Sequence, residues 1–131
     1  MSERAFDANV RLWLQDRYYP WGQWENNKTG YSDSYHAPVG GKGGPDLIGS
    51  IGPLSVEIEN KTKRGRLSQE QLMRQKRFSQ PWSRLYVVCR ETERLDAGGV
   101  DEGIHELGRV IDAHARRWLA PSLLETMGVK P

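Results

Sequence analysis

Apolar residues at Phe6, Val10, Trp13 and Leu14 recur at helical spacing, which predicts an amphipathic helix over residues 3–17. Ser2 is placed to cap it, Glu3 suits its positive first turn, and Tyr18-Tyr19-Pro20 ends it. Residues 21–25 then predict a short strand with aromatic residues on one face. Residues 26–44 are rich in Gly, Ser, Asn and Tyr and carry no periodic segment. Such a long loop is expected to cross near a site or to reach a partner. Residues 46–51 and 54–61 predict a hairpin about Gly52-Pro53. Ser68 caps a second helix over residues 69–78, with Glu70 and Gln71 near its start. Residues 84–90 form a strand apolar enough to be buried on both faces. A last helix is predicted from Val100 to Leu119 with the stripe Ile104, Leu107, Val110, Ile111 and Trp118. Pro121 is expected to stop it, and the tail to Pro131 to fray. The order is helix, three strands, helix, strand and closing helix, which implies an α/β fold with a mixed central sheet flanked by helices.

At 131 residues the chain suits a single domain, 1–131, with one modest core. Five Trp and five Tyr supply large anchors to a lean aliphatic core. The net charge of +2 is too small to make the molecule a polycation, so any affinity for nucleic acid must rest on where the basic residues lie. Cys89 is the one cysteine, which excludes an internal disulfide and any cysteine-based zinc site. Its apolar surroundings, Leu85 to Val88, predict a buried, inert thiol. No apolar stretch is long enough to span a bilayer and the N-terminus lacks the core of a signal peptide, so a soluble, cytoplasmic protein is expected. His105 and His114 are nine residues apart, on opposite sides of a helix, and His36 has no partner in sequence; none is assigned a role.

The chemistry concentrates in the hairpin. Alternation along a strand places Glu57, Glu59 and Lys61 on one face, each about 7 Å from the next, and Val56, Ile58 and Asn60 on the other. If the strand of Asp46 pairs alongside, two or three carboxylates meet with an ammonium beside them. Crowded carboxylates repel and shift one another unless a cation lies between them, and hard oxygen ligands suit Mg²⁺ or Mn²⁺. In isolation, an E-x-E-x-K stretch is more often a solvated face than a ligand set. Here Gly40-Gly41-Lys42-Gly43-Gly44-Pro45 leads into the first acid, and a basic segment follows the second.

These residues resemble the PD-(D/E)xK nuclease superfamily: Pro45-Asp46 matches the first half of its signature and Glu59-Asn60-Lys61 the second. More narrowly, residues 44–71 resemble the VRR-Nuc (virus-type replication-repair nuclease) family. The glycine before Pro-Asp, the E-x-K strand, the basic Gly65-Arg66-Leu67-Ser68 and Gln71 carry that likeness over about a fifth of the chain. Two features depart from it: polar Asn60 stands where an apolar residue is usual, and Glu57 is an additional acid, a residue that supports a ligand from behind, a second-metal ligand or the wet edge of the strand.

The resemblance implies a restriction-endonuclease-like core of order αβββαβ with a C-terminal helix. It implies a Mg²⁺- or Mn²⁺-dependent endonuclease that hydrolyses DNA phosphodiesters, selective for branched DNA such as four-way junctions in replication, repair or recombination and acting as a homodimer. Asp46 and Glu59 would be metal ligands with the Asn60 backbone carbonyl a third; Lys61 would orient or deprotonate the attacking water and stabilise the developing charge on phosphorus, and Gln71 would help hold the site. Glu3 matches the acid often found on the first helix of such nucleases, although a helix-dipole partner explains it equally well. Lys63, Arg64 and Arg66 form a basic turn placed to grip phosphates, Lys42 could add a contact, and Arg74, Lys76 and Arg77 extend the charge along the second helix. Tyr31 and Tyr35 could stack on unpaired bases or pack loosely on the domain. The last helix is a candidate dimer interface, or else it closes the core. A sequence-specific restriction-type endonuclease, a catalytically degenerate DNA-binding module and an interaction protein without nucleic acid are the competing readings.

Overall fold

The computed structural model describes residues 2–27, 45–77 and 84–130. Helix α1 spans Glu3–Arg17, with the Ser2 hydroxyl accepting from the Ala5 amide at 3.2 Å. Its inward stripe is Phe6, Val10 and Leu14, all buried. Four strands follow the predicted pattern: β1, Gly22–Asn26; β2, Leu47–Ile51; β3, Leu54–Lys61; and β4, Arg84–Arg90. The sheet order is β1-β2-β3-β4, with antiparallel pairing up to β3 and parallel pairing between β3 and β4. Gly52, at φ 54°, supplies the positive dihedral that lets β2 turn into β3 within two residues. The parallel pair needs a crossover, and helix α2, Gln69–Arg77, provides it.

Helix α3, Glu102–Trp118, starts two residues later than the sequence pattern predicts. The reason is Asp101, which caps it by accepting from the Gly103 amide at 2.7 Å and also from the Thr92 and Glu93 amides. Gly103 lets the helix touch the end of β4, because a Cβ there would sit 1.9 Å from the Arg90 carbonyl oxygen. Pro121 does not simply end the structure: it opens a further helix, α4, Pro121–Met127. A proline at the first helical position lacks only an amide that would be unpaired there anyway. The expected fraying tail is instead closed by Gly128 in the left-handed conformation, with Leu124 and Val129 buried beside Leu54, Ala115 and Leu119.

The main core joins α1 and α3 to one sheet face, through Phe6, Val10, Leu14, Leu47, Ile58 and Ile111 among others. Most of the α3 stripe points into it, so Ile104, Leu107 and Ile111 close the domain and are not a free interface. Trp118 is the exception, exposed at 40%, because Ala115 and Leu119 take the inward positions of the last turn. The first helix is tied to α3 at its other end, where the Tyr18 hydroxyl donates to Asp112 at 2.7 Å and Arg17 pairs with the same carboxylate. Cys89 is buried in this core, and burial pushes its thiol up to about 12, as an inert packing group requires. Among the described residues, no helix is long and apolar enough to cross a membrane. The loop carrying Tyr31, Tyr35, His36 and Lys42, and Phe78 at the expected end of α2, lie outside the described residues.

Candidate functional site

Alternation along β3 sorts its side chains as the pattern predicts: Val56, Ile58 and Asn60 face the core, and Glu57, Glu59 and Lys61 face α2. The two-residue turn fixes the register, pairing Ile51 with Leu54 and Leu47 with Ile58. One step further, Asp46 lies opposite Glu59, just beyond the end of β2. There its carboxylate accepts from the Asn60 amide at 2.8 Å, in the place a strand carbonyl would occupy. Asn27 holds the approach to this acid: its amide donates to the Asp46 carbonyl at 2.8 Å and its side chain to the Pro45 carbonyl at 2.9 Å.

The Asp46 and Glu59 carboxyls are neighbours whose charges act on one another. Burial raises the Glu59 carboxyl to about 7, with the Asp46 charge adding to the rise; burial also raises Asp46, against the lowering effect of the Asn60 amide. Lys61 Nζ stands 3.4 Å from Glu59 Oε1, and the Gln71 side-chain amide donates to the same oxygen at 2.7 Å. Gln71 is itself held by a reciprocal cap: its amide donates to the Ser68 hydroxyl at 3.1 Å, and the Ser68 amide donates to its side-chain oxygen at 2.8 Å. The other oxygen of Glu59, Oε2, is buried without a hydrogen-bond partner.

This donor set suits a hard divalent cation. Two adjacent carboxyls held above their ordinary range, one with an unpaired buried oxygen, would be relieved by a positive charge between them. A residue's amide and carbonyl leave a strand on the same edge. The Lys61 carbonyl accepts from Glu91 on the β4 side, so the Asn60 amide and carbonyl both face the Asp46 side. The side-chain acids number two: among the described residues, no group of three or more His, Cys, Asp or Glu converges as a metal set. Glu3 is exposed and reaches Asp46 only through its charge.

Glu57 is neither a wet edge nor a spare ligand. It is 3% exposed, and Arg74 Nε donates to it at 3.0 Å and Arg84 Nε at 2.7 Å. Arg74 is thereby committed within the fold rather than to a phosphate. Asn60, the polar residue on the core face, is fully buried and faces Asp7, one helical turn beyond Glu3. Burial and the Asp46 charge raise Asp7 to about 6, and Asn60 opposes that rise. The Glu3 and Asp7 spacing on one helix face was a signal available in the sequence. Tyr86 was not legible: its hydroxyl is buried and unpaired beside Glu59, and its pKa is raised by burial and then by that acid.

The basic turn after β3 is pinned from below, because the Arg90 guanidinium donates to the Thr62 carbonyl at 3.1 Å and to that of Gly65. Lys63 is exposed and pairs loosely with Glu93 at 3.4 Å, while Arg64 and Arg66 are exposed. No model of a known protein family matches the chain, and no curated protein or solved structure matches it either.

Proposed function

We propose that the protein is a metal-dependent nuclease of the PD-(D/E)xK type that hydrolyses DNA phosphodiesters. The observation that carries this reading is the pairing of half-buried Asp46 with buried Glu59, with Lys61 and Gln71 on one oxygen of Glu59 and the other oxygen unpaired. The order Pro45-Asp46, Glu59-Asn60-Lys61, Gly65-Arg66-Leu67-Ser68 and Gln71 supports it through its resemblance to the VRR-Nuc family. Asp46, Glu59 and the Asn60 carbonyl would hold Mg²⁺ or Mn²⁺. When bound, such an ion supplies a more acidic water and offsets charge on the phosphoryl oxygens.

The chain's own groups do the remainder. Lys61 places a cation beside Glu59, where it steadies negative charge on a substrate oxygen and orients the nucleophile. Gln71 fixes the Glu59 carboxyl, so that its free oxygen keeps one direction. Asn27 and the Asn60 amide fix Asp46 from two sides. The exposed Arg64 and Arg66, with Lys63, lie at the end of the strand that carries Glu59 and Lys61, where a phosphate backbone can be held in register with the acids. Branched DNA as the preferred substrate and a homodimer as the acting form rest on the family resemblance.

The test is cleavage of single-stranded, duplex, flap, splayed and four-way DNA with Mg²⁺ or Mn²⁺ by the wild type and by Asp46→Asn, Glu59→Gln and Lys61→Met at matched folding. Loss of cleavage in all three is expected. Undiminished activity in all three rejects the assignment.

A further inference from the structure

Helix α2 has none of its residues buried. Its inward face carries Gln71, on Glu59, and Arg74, on Glu57. At 100° per residue the opposite face carries Leu72, Met73 and Lys76. Leu72 is 52% exposed and Met73 66%, so two large apolar side chains stand next to each other in solvent on the side of α2 away from the acid pair. Residues 63–77 hold six basic residues and one acid.

That charge selects among possible occupants. A second copy in a symmetric contact would bring this basic segment against itself. Two apolar side chains on a nine-residue helix are too few for stable burial in a lipid surface. A polyanion complements the segment, and DNA also offers apolar surface where base pairs can part. We propose that the outer face of α2 is a wedge that opens stacked bases at a DNA branch: Leu72 and Met73 insert against unstacked bases, while Lys76 and Arg77 take the flanking phosphates. The proposal rests on the phosphodiester-cleaving reading, because the helix that carries the wedge outward carries Gln71 inward on Glu59, which leaves the wedge about one helix width from that acid. It adds how a branched substrate is distinguished from continuous duplex.

The test uses the full chain in EDTA, where DNA can bind but is not cut. Four-way and splayed DNA carry 2-aminopurine at the branch, and a continuous duplex carries it at mid-length. Wild-type protein is expected to raise fluorescence at the branch and not in the duplex. Leu72→Ala with Met73→Ala, both at exposed positions, is expected to reduce that rise at least about fivefold and to weaken branch binding about tenfold, leaving the salt dependence unchanged. Lys76→Gln with Arg77→Gln is expected to lower the slope of log affinity against log salt by nearly two. An undiminished rise in the Leu72/Met73 double variant overturns the wedge. So does a finding that the double variant changes only the mass of the assembly or only binding to anionic vesicles. The two readings fail separately: base opening without cleavage under Mg²⁺ or Mn²⁺ keeps the wedge and removes the nuclease, and cleavage without base opening does the reverse.

Discussion

Along β3, neighbours in sequence belong to two regions with opposite chemistry. Val56, Ile58 and Asn60 enter the core under α1 and α3, while Glu57, Glu59 and Lys61 meet α2, a helix with no buried residue. On the first face, burial of the apolar Val56 and Ile58 is itself the source of stability, and polar Asn60 is the exception, buried with its side-chain amide unpaired. On the second, burial works against the groups it encloses: it raises Glu59 and Asp46 and leaves polar atoms of Glu59 and Tyr86 unpaired. The core face keeps the sheet rigid, and the polar face uses that rigidity to hold carboxylates where they would not gather unaided.

The sharpest way to break this comparison is to change two adjacent residues. Glu59→Gln or Asp46→Asn should lower DNA cleavage by about 10³-fold while leaving the thermal midpoint unchanged or higher, since each removes repulsion. Ile58→Ala, one residue away, should cost about 2–5 kcal/mol of stability, and its activity should fall only with the folded fraction. Cleavage assays with thermal melts on the three proteins decide it. A large loss of stability from Glu59→Gln would place that residue with the structural face.

Next in size is Glu57, which lies on the polar face and yet is structural. Glu57→Ala leaves Arg74 and Arg84 without the carboxylate that receives both, and α2 loses an anchor to the sheet. Half-exposure of Arg84 softens the loss, so about 2–3 kcal/mol is expected in urea unfolding. Arg84→Ala alone should cost less, because Arg74 still covers the acid.

How much of this was legible in the chain depends on distance along it. The position of Asp46 opposite Glu59 follows by counting outward from the Gly52-Pro53 turn, because the turn fixes the register and the register fixes the faces. The Ser68–Gln71 cap is equally local. The arginines on Glu57 were not legible, since Arg84 arrives by a parallel pairing on the far side of α2, whose register no local signal sets. Asp7 beside Asn60 depends on how α1 is rotated over the sheet, and Asn27 depends on pairing across the segment between β1 and β2. Pro121 was misjudged because a proline that ends one helix and one that begins the next look alike until the following residues pack.

A smaller effect should appear in the pH dependence of stability. The folded protein holds Glu59 protonated up to about 7, against an ordinary value of 4.5, and it holds Asp7 up to about 6. In that window the native state carries protons that the unfolded chain has released, so stability falls as pH rises through it and the penalty is complete above about 7. Glu59→Gln should therefore flatten the profile, raising the midpoint by several degrees at pH 8 and by little at pH 4. An unchanged slope in Glu59→Gln would show that this acid does not carry the strain.

The finest division lies within one pair of residues at the start of α2. Ser68→Ala removes the hydroxyl that accepts from the Gln71 amide and should cost about 1 kcal/mol, the usual worth of a cap. Gln71→Ala removes the other half of that cap and, in addition, the hydrogen bond to Glu59 Oε1. If that bond serves only to fasten α2, Gln71→Ala should lose more stability than Ser68→Ala and the two should keep similar activity. If it orients the carboxyl, Gln71→Ala should lose about tenfold more activity than Ser68→Ala at nearly equal stability. Restoring the amide with Gln71→Asn should not recover the activity, because the shorter side chain keeps the chemistry of the donor and loses its reach.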